Sequence, residues 1–283
     1  MKLALCNEVL GDLSLEAQCE LAARLGYDGL EIAPFTLASA PERIDAAEAR
    51  RIRGVVEAAG LVVTGLHWLL VKPSGLTVTD PDPARRRRTL DVVTRLIGLC
   101  AELGGKVLVH GSPKQREVAA GETLDIARAR LRDFLAEAAE VASAHSVVYC
   151  IEPLSRNETL LVNTVAEAAE IVRAVGRPSL RTMIDCSAAG LSESATVPEL
   201  IDAWLPTGLI GHVQVNDPNR RGPGQGAMDF GPILQVLARM ERSGHFPGIV
   251  AVEPFDYVPD GPGCAARAIG YLKGVLQGLQ AHG

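Results

Sequence analysis

The chain is short of aromatic residues, at 4% of 283, and carries no excess of positive charge, its formal net charge being −6. A basic, aromatic-rich face of the kind that binds nucleic acid is therefore not expected. No apolar run is long enough to span a bilayer, which excludes a transmembrane helix. The opening residues MKLALCNEVLGD lack the charged start and long apolar stretch of a secretion signal, since Asn7 and Glu8 interrupt them early. Six cysteines, Cys6, Cys19, Cys100, Cys150, Cys186 and Cys264, are dispersed without a CxxC pair. They read as buried free thiols in a reducing cytoplasm, not as disulfides or a zinc knuckle. Pro- or Ser-rich linkers, low-complexity tracts and short repeats are missing too, so one cytoplasmic domain over residues 1–283 is expected.

What is present is apolar sequence, 47% of the chain, enough for a large core. It falls into an alternation of strand-like and helix-like segments. KLALCN precedes a helix from Ser14 to Leu25, YDGLEI one from Arg43 to Ala59, LVVTGLH one from Ala84 to Leu103, and KVLVH one from Glu122 to Ala144. The second half continues with VVYCIE and a helix from Thr164 to Val175, then LRTMID and a short helix from Val197 to Trp204. LIGHVQVN with Phe230 to Ser243 and GIVAVE with Gly263 to Leu279 complete the series. Ser14 is placed as an N-cap, and Gly26, Gly60 and Gly104 as stops for the first three helices. Eight such units in a chain of this length predict an α/β fold, a single (β/α)8 barrel, with functional groups at the C-terminal strand ends.

Four of those ends carry metal-type ligands: Glu152 after YCI, Asp185 closing RTMID, His212 within LIGHVQVND and Glu253 after IVAV. Parallel strands open their C-terminal ends on one side, so the four can converge. Three carboxylates and an imidazole suit one divalent ion, Mn2+, Co2+ or Mg2+. The competing structural readings are an arginine-paired buried carboxylate at Glu152 or Glu253, a helix N-cap at Asp185 and a core histidine at His212. His67 and His110 end the third and fourth strands and are placed at the same mouth as substrate contacts, with a core role as the alternative. Trp68 is read either as a pocket wall or as packing under a loop.

With LAARLGYDGLEI, IEPLSRNETLLVNT, MIDCS, HVQVNDPNRRGPGQG and VEPFDY taken together, the chain resembles the xylose isomerase-like barrel superfamily over nearly its whole length. Within it the resemblance is to the sugar phosphate isomerase/epimerase group that includes the ketose 3-epimerases. The resemblance implies that Glu152 and Glu253 bind the metal and also transfer the proton, while Asp185 and His212 only bind metal. It implies substrate contacts at Glu158, Arg156 and Arg220. The expected reaction is epimerisation or isomerisation of a small sugar-like hydroxy-carbonyl compound through a metal-stabilised enediolate. A dehydratase acting on an inosose or dehydroshikimate-like compound is the alternative. An abasic-site endonuclease, for which His67 and His110 would supply extra ligands, and a non-catalytic ligand-binding barrel are kept as further classes. Where the epimerases place a substrate-binding histidine three residues after the metal aspartate, this chain has Ala188. The glycine-rich stretch from Asn219 to Gly226 reads as a phosphate loop or a lid, leaving phosphorylation of the substrate open. Arg85 to Arg88 read as solvated surface. No membrane or nucleic-acid partner is expected, and pairing with a second copy of the chain through exposed helices stays open.

Overall fold

The computed structural model describes residues 1–281. Eight parallel strands pair in sequence order and close on themselves: β1 Lys2–Cys6, β2 Gly29–Ile32, β3 Val62–Leu66, β4 Val107–His110, β5 Val148–Ile151, β6 Leu180–Asp185, β7 Ile210–Val215 and β8 Ile249–Val252. Closure comes from β1 against β8, with Lys2 opposite Ile249 and Leu5 opposite Val252. Around the barrel lie α1 Leu15–Leu25, α2 Ala46–Ala58, α3 Pro83–Glu102, α4 Leu124–Ala144 and α5 Val165–Val175, then α6 Cys186–Ser192, α7 Val197–Trp204, α8 Phe230–Arg242 and α9 Gly261–Ala281. The expected (β/α)8 barrel is what the chain forms.

Local chemistry fixes the helix ends. Ser14 Oγ accepts the Ala17 N–H, and Gly26 stops α1 in the left-handed region at φ 91°, which costs a glycine little. Asp45, Thr123 and Thr164 cap α2, α4 and α5 in the same way, each such cap stabilising by about 1 kcal/mol. One helix was not foreseen. The sequence reading put only Val197–Trp204 between the sixth and seventh strands, whereas α6 starts directly on Asp185. Its seven residues are too few to display a helical period.

Strand side chains alternate between two cores. Val107, Val109, Cys150 and Met183 fill the barrel interior, joined by Ala4, Cys6 and Ala251 from the first and last strands. Leu108, Tyr149, Ile151, Ile184, Val213, Val215, Val250 and Val252 face outward into the layer shared with the helices. Stepping two residues from the interior set reaches Glu152 from Cys150, Asp185 from Met183 and Glu253 from Ala251. The same alternation that packs the core therefore turns these carboxylates inward at the C-terminal rim. All six cysteines are free and buried, and no helix among the described residues is long and apolar enough to cross a membrane. Arg85 and Arg87 are exposed and engage Asp80 and Asp91.

Candidate metal and active site

Glu152, Asp185 and Glu253 meet at the rim, each offering an oxygen within 4.8 Å of the others, and all three are buried. Room for this is built into the backbone. A Cβ on Gly111, at the end of β4, would stand 1.7 Å from Glu152 Oε2, so only glycine lets that carboxylate lie where it does. Asp185 is held from two sides, Oδ1 accepting the Ala188 N–H at 2.7 Å and Oδ2 the Asn216 Nδ2–H at 2.8 Å. It is thus both a helix cap and a member of the carboxylate group. Glu253 presents Oε1 to His67 Nδ1 at 2.8 Å, while its Oε2 is buried without a hydrogen-bond partner.

Three buried carboxylates this close resist ionising together. Burial, and then the charges of Glu253 and Asp185, push Glu152 well above the ordinary carboxylate range. Burial lifts Asp185 to about 7 against the opposing hydrogen bonds from Ala188 and Asn216. It lifts Glu253 to about 8, with His67 opposing and Asp185 adding to the rise. Such a group, with an orphaned oxygen and no lysine or arginine side chain bonded to its carboxylates, has the donor chemistry of a hard divalent-cation site.

His212 stands outside this tight grouping. Its Nε2 lies 2.7 Å from Glu31 Oε2, although neither atom makes a regular hydrogen bond, and an ion pair there would direct Nδ1 to an ion. An acid behind a ligating histidine is the usual means of orienting such a ring. Glu31, fully buried in β2, is held below the ordinary range: burial opposes this, but the charge and contact of His212 and a bond from Gln214 prevail. His67 is locked similarly, with Nε2 at 2.9 Å from Glu8 Oε2. Burial disfavours its charged form, yet Cys6, Glu8 and the bond to Glu253 hold its pKa above the ordinary imidazole value.

His110 is not at the mouth. Val107 and Val109 point into the barrel, so residue 110 points out. There its Nδ1 pairs with the Tyr149 hydroxyl at 2.9 Å, and its ring meets Phe134 of α4 edge-on. Burial and the nearby Arg116 push it down to about 3, so it is a neutral core histidine. His110→Ala should therefore cost about 1–3 kcal/mol by stranding the Tyr149 hydroxyl, plus the lost ring packing. Denaturant unfolding should show the loss while divalent-ion titration stays unchanged; a weakened ion affinity would return His110 to the site.

A cavity of about 160 Å3 opens above the carboxylates, lined by Trp68, Gly111, Pro113, Glu152, Leu154, Glu158, Arg220, Glu253 and Phe255. A surface groove of about 860 Å3 beside α2 and α3 gathers none of these groups. Glu158 lies at the wall, its Oε2 fixed by Ser155 Oγ at 2.7 Å. Arg220 adopts φ 72° and places its guanidinium 4.9 Å from the Phe255 ring centre. Trp68, at φ 51°, stands edge-on between Phe35 and Phe255, so it forms an apolar wall. Both backbones sit in a region that costs a non-glycine residue about 1–3 kcal/mol, and such strain gathers where surrounding structure holds a binding group in place. Arg156, by contrast, is exposed, donates Nη1–H to Asn163 Oδ1 at 3.5 Å and is not among the residues lining the cavity. The segment from Asn219 to Gly226 is tied down by Gln225 Nε2 to the Val258 carbonyl and by Arg221 to Asp256.

Four participants escaped the sequence reading: Glu8, Glu31, Arg116 and Asn216. Glu31 carried a usable signal, since it too is an acid near the end of an apolar strand. Asn216 bridges Asp185 to the Glu253 carbonyl and holds the Ser187 N–H at 2.8 Å. Arg116 is fully buried, donates Nη1–H to the Glu152 carbonyl at 2.8 Å and keeps Nε and Nη2 unpaired. Ala188 contributes only its backbone N–H, to Asp185 Oδ1.

Comparison with known proteins agrees with this fold. The xylose isomerase-like TIM barrel family matches residues 19–275. D-psicose 3-epimerase of Ruminiclostridium cellulolyticum is 27% identical over 238 residues, covering 83% of this chain and 76% of its own. 3-Dehydro-D-guloside 4-epimerase of Escherichia coli is 24% identical over 264 residues, covering 89% and 92%. Among solved structures, a D-psicose 3-epimerase determined in the presence of D-fructose superposes with a TM-score of 0.79 at 21% identity, over 98% of this chain and 99% of that one.

Proposed function

The chain belongs to the xylose isomerase-like TIM barrel family, and from that premise we propose that it is a divalent-metal-dependent sugar epimerase acting beside the carbonyl of a ketose or keto-sugar. The observation that carries this reading is the trio Glu152, Asp185 and Glu253, buried together, two of which, Glu152 and Glu253, line a cavity of about 160 Å3. The names of the relatives support the substrate class. One inverts carbon 3 of a ketose and another carbon 4 of a keto-sugar, so the shared element is a carbon that can lose a proton next to a carbonyl.

Glu152, Asp185 and Glu253, with His212 through Nδ1, would hold the ion. Once bound it would make the hydrogen beside the sugar carbonyl more acidic by drawing charge from oxygen. The protein's own groups do the rest. One of Glu152 and Glu253 removes the proton from one face of the sugar carbon and the other returns a proton to the opposite face, inverting it. Trp68, Leu154 and Phe255 offer apolar walls against the sugar's C–H faces. Arg220 and Glu158 at the rim offer a donor and an acceptor for hydroxyls, and His67 fixes the orientation of Glu253.

The test is a screen of free ketoses and keto-glycosides with Mn2+-loaded protein in heavy water, read by chromatography and mass spectrometry. The expected result is an epimer of unchanged atom count carrying one solvent deuterium at the inverted carbon. Loss of water from the product would favour a dehydratase, and an aldose product an isomerase.

A further inference from the structure

A second, softer donor group adjoins the three carboxylates. Cys6 ends β1, Glu8 lies in the short turn Asn7–Leu10 that follows it, His67 follows β3, and Glu253 is common to both groups. The thiol sulfur, two carboxylates and imidazole of this set each place a ligand atom within 4.8 Å of the others, and all four residues are buried. A separate observation points the same way. Glu8 Oε1 is buried with no hydrogen-bond partner, although Oε2 of the same carboxylate meets His67 Nε2. A carboxylate oxygen removed from water and left unpaired is costly unless a cation meets it.

Charge balance gives the same direction. Glu8, Glu31, Glu152, Asp185 and Glu253 are all buried at this end of the barrel, and Arg116 is the one buried guanidinium beside them among the described residues.

We propose that Cys6, Glu8, His67 and Glu253 form a binding site for a second divalent ion, one with affinity for sulfur. A thiolate and an imidazole beside carboxylates select zinc or cobalt over magnesium. On binding, Cys6 gives up its thiol proton to solvent, and the ion takes the place of the proton between His67 Nε2 and Glu8. His67 keeps its Nδ1–H bond to Glu253 Oε1. Strands 1 and 3 would then contribute to the metal centre alongside strands 5 to 8, with the Glu253 carboxylate shared between two ions.

Cobalt titration of the chelator-stripped full chain tests this without any substrate. The expected result is two Co2+ per chain, with a near-ultraviolet sulfur-to-cobalt absorption band. Cys6→Ser should abolish the band and one ion, and Glu8→Gln should weaken the same ion, which keeps the test open if the serine variant fails to fold. Asp185→Asn should remove the other ion and leave the band. One ion with no band, or a band that survives Cys6→Ser, overturns the second site while leaving the epimerase reading intact. A band whose ion is the only one bound, unaffected by Asp185→Asn, removes the ion from the three-carboxylate group and leaves this site standing.

Discussion

Glu152→Gln is expected to lower kcat by about 10²–10⁴-fold, the range that a positioned proton-transfer group supplies. The amide matches the carboxylate in shape, so it still fits over Gly111, and the Arg116 bond survives because it goes to the Glu152 backbone carbonyl. What is lost is the capacity to take up or deliver a proton, together with one anionic ligand. The fold should not suffer. With one of three mutually repelling buried carboxylates made neutral, the ion-free variant should unfold at a temperature equal to or above that of the wild type. Glu253→Gln should lose turnover to a similar extent but carries a structural cost, since His67 then faces an amide in place of a charged partner at Oε1. The two variants separate in deuterium exchange. Each should still wash solvent deuterium into the substrate that presents its hydrogen to the surviving glutamate, while net inversion fails in both. A Glu152→Gln enzyme that keeps its kcat within tenfold of the wild type would remove Glu152 from proton transfer.

That experiment depends on residues that were readable in the sequence, and the reason is physical. Glu152, Asp185 and Glu253 break apolar runs that would otherwise be uniformly buried, and in a parallel barrel such breaks occur at the strand ends where chemistry is done. His110 shows the limit of that reasoning. VLVH is apolar on both faces, so nothing in the string says which parity points inward. The answer depends on Cys150 and Met183 sharing the interior with Val107 and Val109. The same blindness hid Arg116, whose burial rests on a contact with a backbone carbonyl 36 residues away. Glu8 was hidden by its place in a turn, two residues beyond the strand. Helix boundaries were legible at Ser14 and Gly26, but the caps Asp45 and Thr123 were passed over, so α2 was read from Arg43 and α4 from Glu122, and α6 was missed where a functional aspartate, Asp185, doubles as the cap. Arg156 and Arg220 looked equivalent as loop arginines, but only Arg220 is drawn to the cavity, by the face of Phe255.

The ion-free protein should lose stability as pH rises toward 8, and a divalent ion should reverse the loss. Asp185 at about 7 and Glu253 at about 8 hold protons in the folded state that their unfolded counterparts, near 4, have already released. Because the folded chain binds more protons across that interval, the contribution of these groups is fully present below about pH 4 and is lost as pH climbs through the folded values. At about 1.4 kcal/mol per unit, one such group alone accounts for a fall of about 4 kcal/mol, or roughly 10 °C in Tm for a chain of this size. An ion needs the same carboxylates deprotonated, so it competes with protons at low pH and binds unopposed at high pH. The Tm difference between Mn2+-loaded and chelator-treated protein should therefore be small at pH 5 and largest at pH 8, and Asp185→Asn should flatten it. Thermal unfolding at unit pH steps, with and without Mn2+, measures this directly. A difference that does not change with pH would mean that the three carboxylates do not exchange protons for the ion, and would detach Asp185 and Glu253 from its binding.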